Sequence, residues 1–193
     1  MSKYIKPMDF KLSNNFRFYE LVRSTEADRL GIDNTAFVTE EILANAVYVA
    51  ETVLEPIRKL IRRPFTPNSW FRCEELEFVL CTRSFFNGLA RQGVEGVERD
   101  RTHLLYPVIS LLPTEYASYW DAYFETKQHP KGEAVDYEVS GVSNLDLFEM
   151  ARDNIRYDQL ILEFYRKEAG PNSGWVHTST KRKGANRSQI IRY

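Results

Sequence analysis

The stretch Q-H-P-K-G-E-A-V-D, residues 128–136, sets His129 seven positions before Asp136 with Gly132 between them, in a chain that has three histidines in all. A strand period of two over residues 132–139 puts Ala134, Asp136 and Glu138 on one face and Val135, Tyr137 and Val139 on the other. A carboxylate therefore points where alanine leaves room. The same period in W-V-H-T-S aligns Trp175, His177 and Ser179. If the two strands are neighbours, Asp136 and His177 meet on one sheet face, and His129, on the loop before the first strand, can fold over them. Two imidazoles and a carboxylate, with a fourth position left to water, form a catalytic Zn²⁺ donor set. Such a centre activates water and polarises a carbonyl, the chemistry of amide hydrolysis. Gly132 permits a sharp turn between His129 and the strand. The spacing alone is weak, because a lone histidine beside a strand is ordinarily a surface or core residue.

Several elements must position these groups. From Thr39 to Arg63, apolar residues from Ile42 to Ile61 recur at steps of three and four and predict a helix with a broad apolar stripe. Thr39 caps it, Glu40 and Glu41 suit its positive end and Arg62 and Arg63 its negative end. Pro56 predicts a kink or restart and Pro64 a stop. Residues 12–31 read as short helical turns anchored by Phe16, Leu21 and Leu30. After Pro64 the text turns β-leaning at 65–71, 132–139, 157–165 and 175–180, with 188–193 following across a K-R-K-G-A-N turn, read as a solvated hairpin tip. A helix capped by Ser143, with Leu147, Phe148, Ala151 and Ile155 on one side, separates the second and third of these strands. Helices first, then strands with one helical crossover, predict an α+β domain spanning residues 1–193.

Residues 77–125 fit that plan poorly. They carry nine aromatic residues, among them Phe78, Phe85, Phe86, Tyr116, Trp120 and Phe124, around a charged, glycine-punctuated middle, and read as a mainly helical insertion. The aromatic run 116–124 is expected to pack the insertion onto the core rather than form a carbohydrate platform, and His103 to be structural or exposed.

With 193 residues, 43% of them hydrophobic, the chain can bury a substantial core. Its 26 basic and 27 acidic residues give no field that favours nucleic acid or an anionic membrane. No secretory leader or run of eighteen apolar residues is visible, which predicts synthesis in a cytoplasm. Cys73 and Cys81, about 12 Å apart if helical, are expected to be free thiols.

Taken together, these residues resemble the M15 family of zinc D-Ala-D-Ala carboxypeptidases and peptidoglycan endopeptidases, in particular its small phage-borne branch. The family signature S-x-H-x-x-G-x-A-x-D is matched at His129, Gly132, Ala134 and Asp136. Its W-x-H strand is matched at Trp175 and His177, and its S-G-Y-R stretch is similar to Ser69-Trp70-Phe71-Arg72. The resemblance covers residues 12–76 and 126–193. It implies the fold shared with the Hedgehog signalling domain, N-terminal helices on a small antiparallel sheet, and a zinc metallopeptidase acting on peptidoglycan stem peptides. The metal ligands would be His129, Asp136 and His177, with Arg72 orienting a substrate carboxylate.

Three departures stand out. Lys127 replaces the family's serine, although a lysine can itself pair with a carboxylate. Gly174 stands where many members carry an acidic general base, and residues 77–125 replace a much shorter connection, as a lid or a docking surface. Glu163, an acid within an apolar strand, is either the substitute base or an ion-pair partner of Arg72 or of a helix. Glu138, of the same parity as Asp136, is the weaker candidate. The phage resemblance implies action at a cell wall or carriage in a virion. The alternative is a virion structural protein built on a peptidase-like fold, with other virion proteins held through the insertion.

Overall fold

The computed structural model describes residues 9–193 as an α+β fold with a small four-stranded mixed sheet. Two short helices, α1 (Phe18–Val22) and α2 (Thr25–Leu30), lead into α3 (Glu40–Val49). Phe16 and Leu21 are fully buried as expected, whereas Leu30 is exposed, because the helix ends at Gly31 in the left-handed conformation before that side chain can reach the core. Thr39 caps α3 by accepting the Ile42 N–H at 3.2 Å. The expected break at Pro56 takes the form of a π-helical turn, Ala50–Leu54, in which the Glu55 N–H reaches back to the Ala50 carbonyl, before α4 (Glu55–Ile61). A proline has no N–H to continue the ladder, and the widened turn carries the apolar stripe past it. Ala46, Val49, Ala50, Val53, Leu54 and Ile57 are all buried.

The strands are β1 (Ala134–Tyr137), β2 (Gln159–Glu163), β3 (Trp175–Ser179) and β4 (Gln189–Arg192), with α7 (Asn144–Asn154) crossing from β1 to β2. Their order is β1-β3-β2-β4. Ser143 caps α7 by accepting the Asp146 N–H at 3.0 Å. Val135, Tyr137, Leu160, Leu162 and Val176 turn toward α7 and the α3–α4 helix and form the main core with Leu147, Phe148 and Ala151.

Two expectations about strands are corrected. Residues 188–193 do not form a hairpin with β3, and the sheet is not wholly antiparallel. Strand β3 has β1 on one edge and β2 on the other, both antiparallel, so β4 cannot pair with β3 and joins the sheet beyond β2, where it runs parallel. Asp158 captures it there: its carboxylate accepts from the Arg187 N–H and guanidinium, and its carbonyl from the Gln189 N–H. Residues 65–71 form no strand. Pro64 and Pro67 lack donors, and only one antiparallel bridge forms, Ser69 with Asp136.

The 77–125 region is mainly helical as expected, through α5 (Glu74–Arg91) and α6 (Thr114–Glu125). Its aromatic residues build a second core of their own. Phe78, Phe85, Phe86 and Leu89 of α5 face Tyr116 and Trp120 of α6, with Phe78 and Trp120 edge to face at 4.8 Å. Leu76 still belongs to the main core, so α5 spans both. Among the described residues no helix is long and apolar enough to cross a membrane.

Candidate metal centre

Strand register makes the first half of the centre. Asp136 of β1 lies directly opposite His177 of the central strand, and His177 opposite Ile161 of β2. Both polar side chains therefore leave the sheet on the face away from α7. His129 arrives from a short 3₁₀ turn, His129–Lys131, that ends at Gly132 with φ of 69°. A Cβ at Gly132 would stand 2.7 Å from the Ile42 carbonyl oxygen, so only glycine lets the turn seat on α3. Asn45 of α3 fixes the same turn by donating to the Lys131 carbonyl at 2.9 Å. The outcome is that His129, Asp136 and His177, all buried, each offer one ligand atom within 4.8 Å of the others.

The tautomer of His129 follows from its partner. Its Nδ1 lies 2.6 Å from the Trp70 carbonyl oxygen, which can only accept, so Nδ1 carries the proton and Nε2 faces the Asp136 Oδ1 at 3.3 Å. Burial first, then the charge of Arg72, lowers the pKa of His129 and favours the neutral ring. A neutral Nε2 presents a lone pair toward a carboxylate oxygen. That arrangement calls for a cation between the two. His177 Nδ1 approaches the same Oδ1 at 2.8 Å. Burial pushes the Asp136 carboxyl up, but the charge of Arg72 and the hydrogen bond from His177 outweigh it and hold it well below the usual carboxylate range.

Arg72 comes from the segment that bridges to β1. Its Nε donates to Ser69 Oγ at 2.8 Å, its Nη2 is ion-paired with Asp136 Oδ2, and its Nη1 lies 3.5 Å from Glu77 Oε2. Asn34 holds this segment in place: its amide nitrogen donates to the Val22 and Phe71 carbonyls at 3.0 Å each, and its oxygen accepts from the Cys73 N–H at 2.8 Å. Nothing in the turn-like text D-N-T marked Asn34 for that task. Glu77 was also missed. The only trace in the sequence is an acid lodged between two core residues, Leu76 and Phe78.

Glu163 sits at the end of β2 opposite Trp175, with Oε1 3.9 Å from His177 Nδ1. It makes no hydrogen bond or ion pair to Arg72 or to a helix among the described residues, and its side chain is 21% exposed. Burial, then the charge of Asp136, raises its pKa, while His177, Arg72 and Lys127 pull it back in part. Glu138, by contrast, is occupied by Asn68 and Asn144 at the far end of β1. Lys127 is half-buried, with Nζ 3.8 Å over the Tyr123 ring.

Position 174 cannot carry an acid in this backbone. Gly174 has φ of 68°, and a Cβ there would fall 1.9 Å from the Glu163 carbonyl oxygen. Cys73 and Cys81 are free thiols as expected. His103 is half-buried in a 3₁₀ turn of the insertion, Thr102–Leu104, and is not part of the His129, Asp136 and His177 group.

No family model, curated protein or solved structure matches the chain.

Proposed function

We propose that this chain is a zinc-dependent peptidase of the M15 type that hydrolyses an amide bond in peptidoglycan stem peptides, at a cell wall or from within a phage virion. The observation that carries the reading is the convergence of His129, Asp136 and His177 from three separate segments onto one buried point. A His₂Asp set suits zinc. Bound there, zinc would lower the pKa of its water toward neutrality and polarise the scissile carbonyl.

The chain's own groups supply the rest. His129 and His177 hold their ring orientations through Trp70 and the strand register, and Asp136 through Arg72. Glu163, close to His177 and without a competing partner among the described residues, takes the proton from the attacking water and returns it to the leaving amine. Lys127, whose positive charge reaches Glu163, favours a substrate carboxylate beside the site, while Arg72 is held by Asp136 and Glu77. The α+β layout, with β1, β3 and β2 antiparallel, is what supports a Hedgehog and D,D-peptidase type of fold.

Purified protein is expected to hold one zinc ion per chain and to release cleavage products from muropeptides. His129→Ala, Asp136→Ala and His177→Ala are each expected to lose both properties while keeping their helical content. Stoichiometric zinc with no cleavage would remove the hydrolase and favour a virion structural part, a reading supported by the exposed Leu104, Leu105 and Leu111 of the insertion. Absence of zinc binding would sink the metal centre itself.

A further inference from the structure

Asp136 does not have Arg72 to itself. A buried carboxylate that already has a guanidinium partner is a poor metal ligand, because the ion pair satisfies part of the charge a cation would otherwise meet. Arg72, however, lies between two acids. On its other side stands Glu77, whose side chain is 2% exposed and which comes from the first turns of α5, the helix that opens the insertion. Glu77 is itself anchored. Its Oε1 accepts from the Cys81 thiol one turn along at 3.2 Å, and its Oε2 faces Arg72. Burial pushes that thiol up to about 12, so it remains a donor at any ordinary pH.

Two interior carboxylates around one guanidinium leave an excess negative charge on the side where His129 and His177 converge. We propose that Glu77 is a positioning residue of the metal centre: by sharing Arg72, it keeps Asp136 orientated yet anionic enough to bind a divalent cation, and so makes the insertion part of the site. This rests on the metal-centre reading and adds to it a role for α5. The residue touches neither metal nor substrate and acts only through Arg72. Without it, the full positive charge of Arg72 falls on Asp136. The cation then meets a ligand already paired.

A zinc competition titration against a chromophoric chelator separates the possibilities, run on wild type, Glu77→Gln, Glu77→Asp, Arg72→Gln and the double variant Arg72→Gln with Glu77→Gln. Glu77→Gln is expected to weaken zinc at least tenfold, in the range found for groups that orient ligands. Its zinc-free thermal midpoint should stay within a few degrees of wild type, since one carboxylate and one guanidinium remain paired. Glu77→Asp should lose less. In the Arg72→Gln background, Glu77→Gln should change affinity less than twofold, because the route runs through the arginine.

Wild-type zinc affinity in folded Glu77→Gln, or an undiminished effect without Arg72, overturns the proposal while leaving the centre standing. Should Glu77→Gln fail to fold, unchanged affinity in Glu77→Asp overturns it instead. Failure of the wild-type chain to bind zinc overturns both this role and the centre.

Discussion

At the scale of single residues, the centre separates groups that bind from a group that reacts. His129, Asp136 and His177 are all buried and mutually engaged, whereas Glu163 is partly exposed and, among the described residues, has no closer charged partner than His177 at 3.9 Å. Its isolation is the property a proton acceptor needs. Glu163→Gln preserves shape and hydrogen bonding but cannot take a proton. It is expected to keep zinc at wild-type stoichiometry while the hydrolytic rate falls by about 10²–10⁴-fold, as read by metal analysis and a muropeptide assay on one preparation. Equal loss of zinc and activity would instead make Glu163 a structural partner of His177. His129 was legible in the sequence because Gly132 marked the turn that brings it in, and Asp136 and His177 because each sits at a strand position whose parity decides its face. Glu163 was legible for the same reason. Asn34 and Glu77 were not, since each acts on a segment distant in the chain, and neither period nor spacing encodes such a partner.

At the scale of elements, the mixed sheet depends on one buried acid. Asp158 is fully buried at the start of β2 and accepts from the Arg187 N–H at 2.9 Å, the Arg187 Nε at 2.8 Å and the Gln128 amide at 3.0 Å. It therefore ties β4 to the sheet and also steadies the residue next to His129. Burial pushes the Asp158 carboxyl up, but the Arg187 contacts prevail and its folded pKa lies below the ordinary value. A depressed folded pKa contributes stability that is fully present above the unfolded pKa, near 3.9, and is lost as pH falls through the folded value. Below about pH 4, β4 should therefore begin to detach, seen as faster amide exchange at residues 189–192. Asp158→Asn should show that faster exchange already at neutral pH, at a cost of roughly 1.5 kcal/mol, a low figure for a charged contact because Arg187 is half exposed. Unchanged exchange at these residues in Asp158→Asn would show that the strand pairs without the acid. The sequence text of β4 was legible as a strand, but its partner was not. Propensity marks extended backbone, while the choice of edge depends on which edges β1 and β2 have already filled.

At the scale of the whole molecule, two apolar cores share one long helix. The sheet core contains Leu76 from the first turn of α5, and the second core begins two residues later at Phe78 and closes around Trp120. The nine aromatic residues of 77–125 made a helical insertion legible, but not that it would close on itself, because composition does not say which aromatic meets which. The Trp120 Nε1 donates to Glu74 Oε1 at 2.8 Å, so the insertion is pinned near the point where α5 leaves the sheet core. Separate cores predict separate opening. Trp120→Ala removes the centre of the aromatic cluster, a loss of about 3–5 kcal/mol, and should raise amide exchange throughout 78–124 while β1 and β3 keep their protection. Phe148→Ala, in the sheet core beneath β2, should instead loosen β1 to β3 while 78–124 keeps its protection. Hydrogen exchange on the two variants reads both patterns in one experiment. If Trp120→Ala exposes His177 and its neighbours in β3 as fast as it exposes α6, the molecule opens as a single unit and the second core is no independent body.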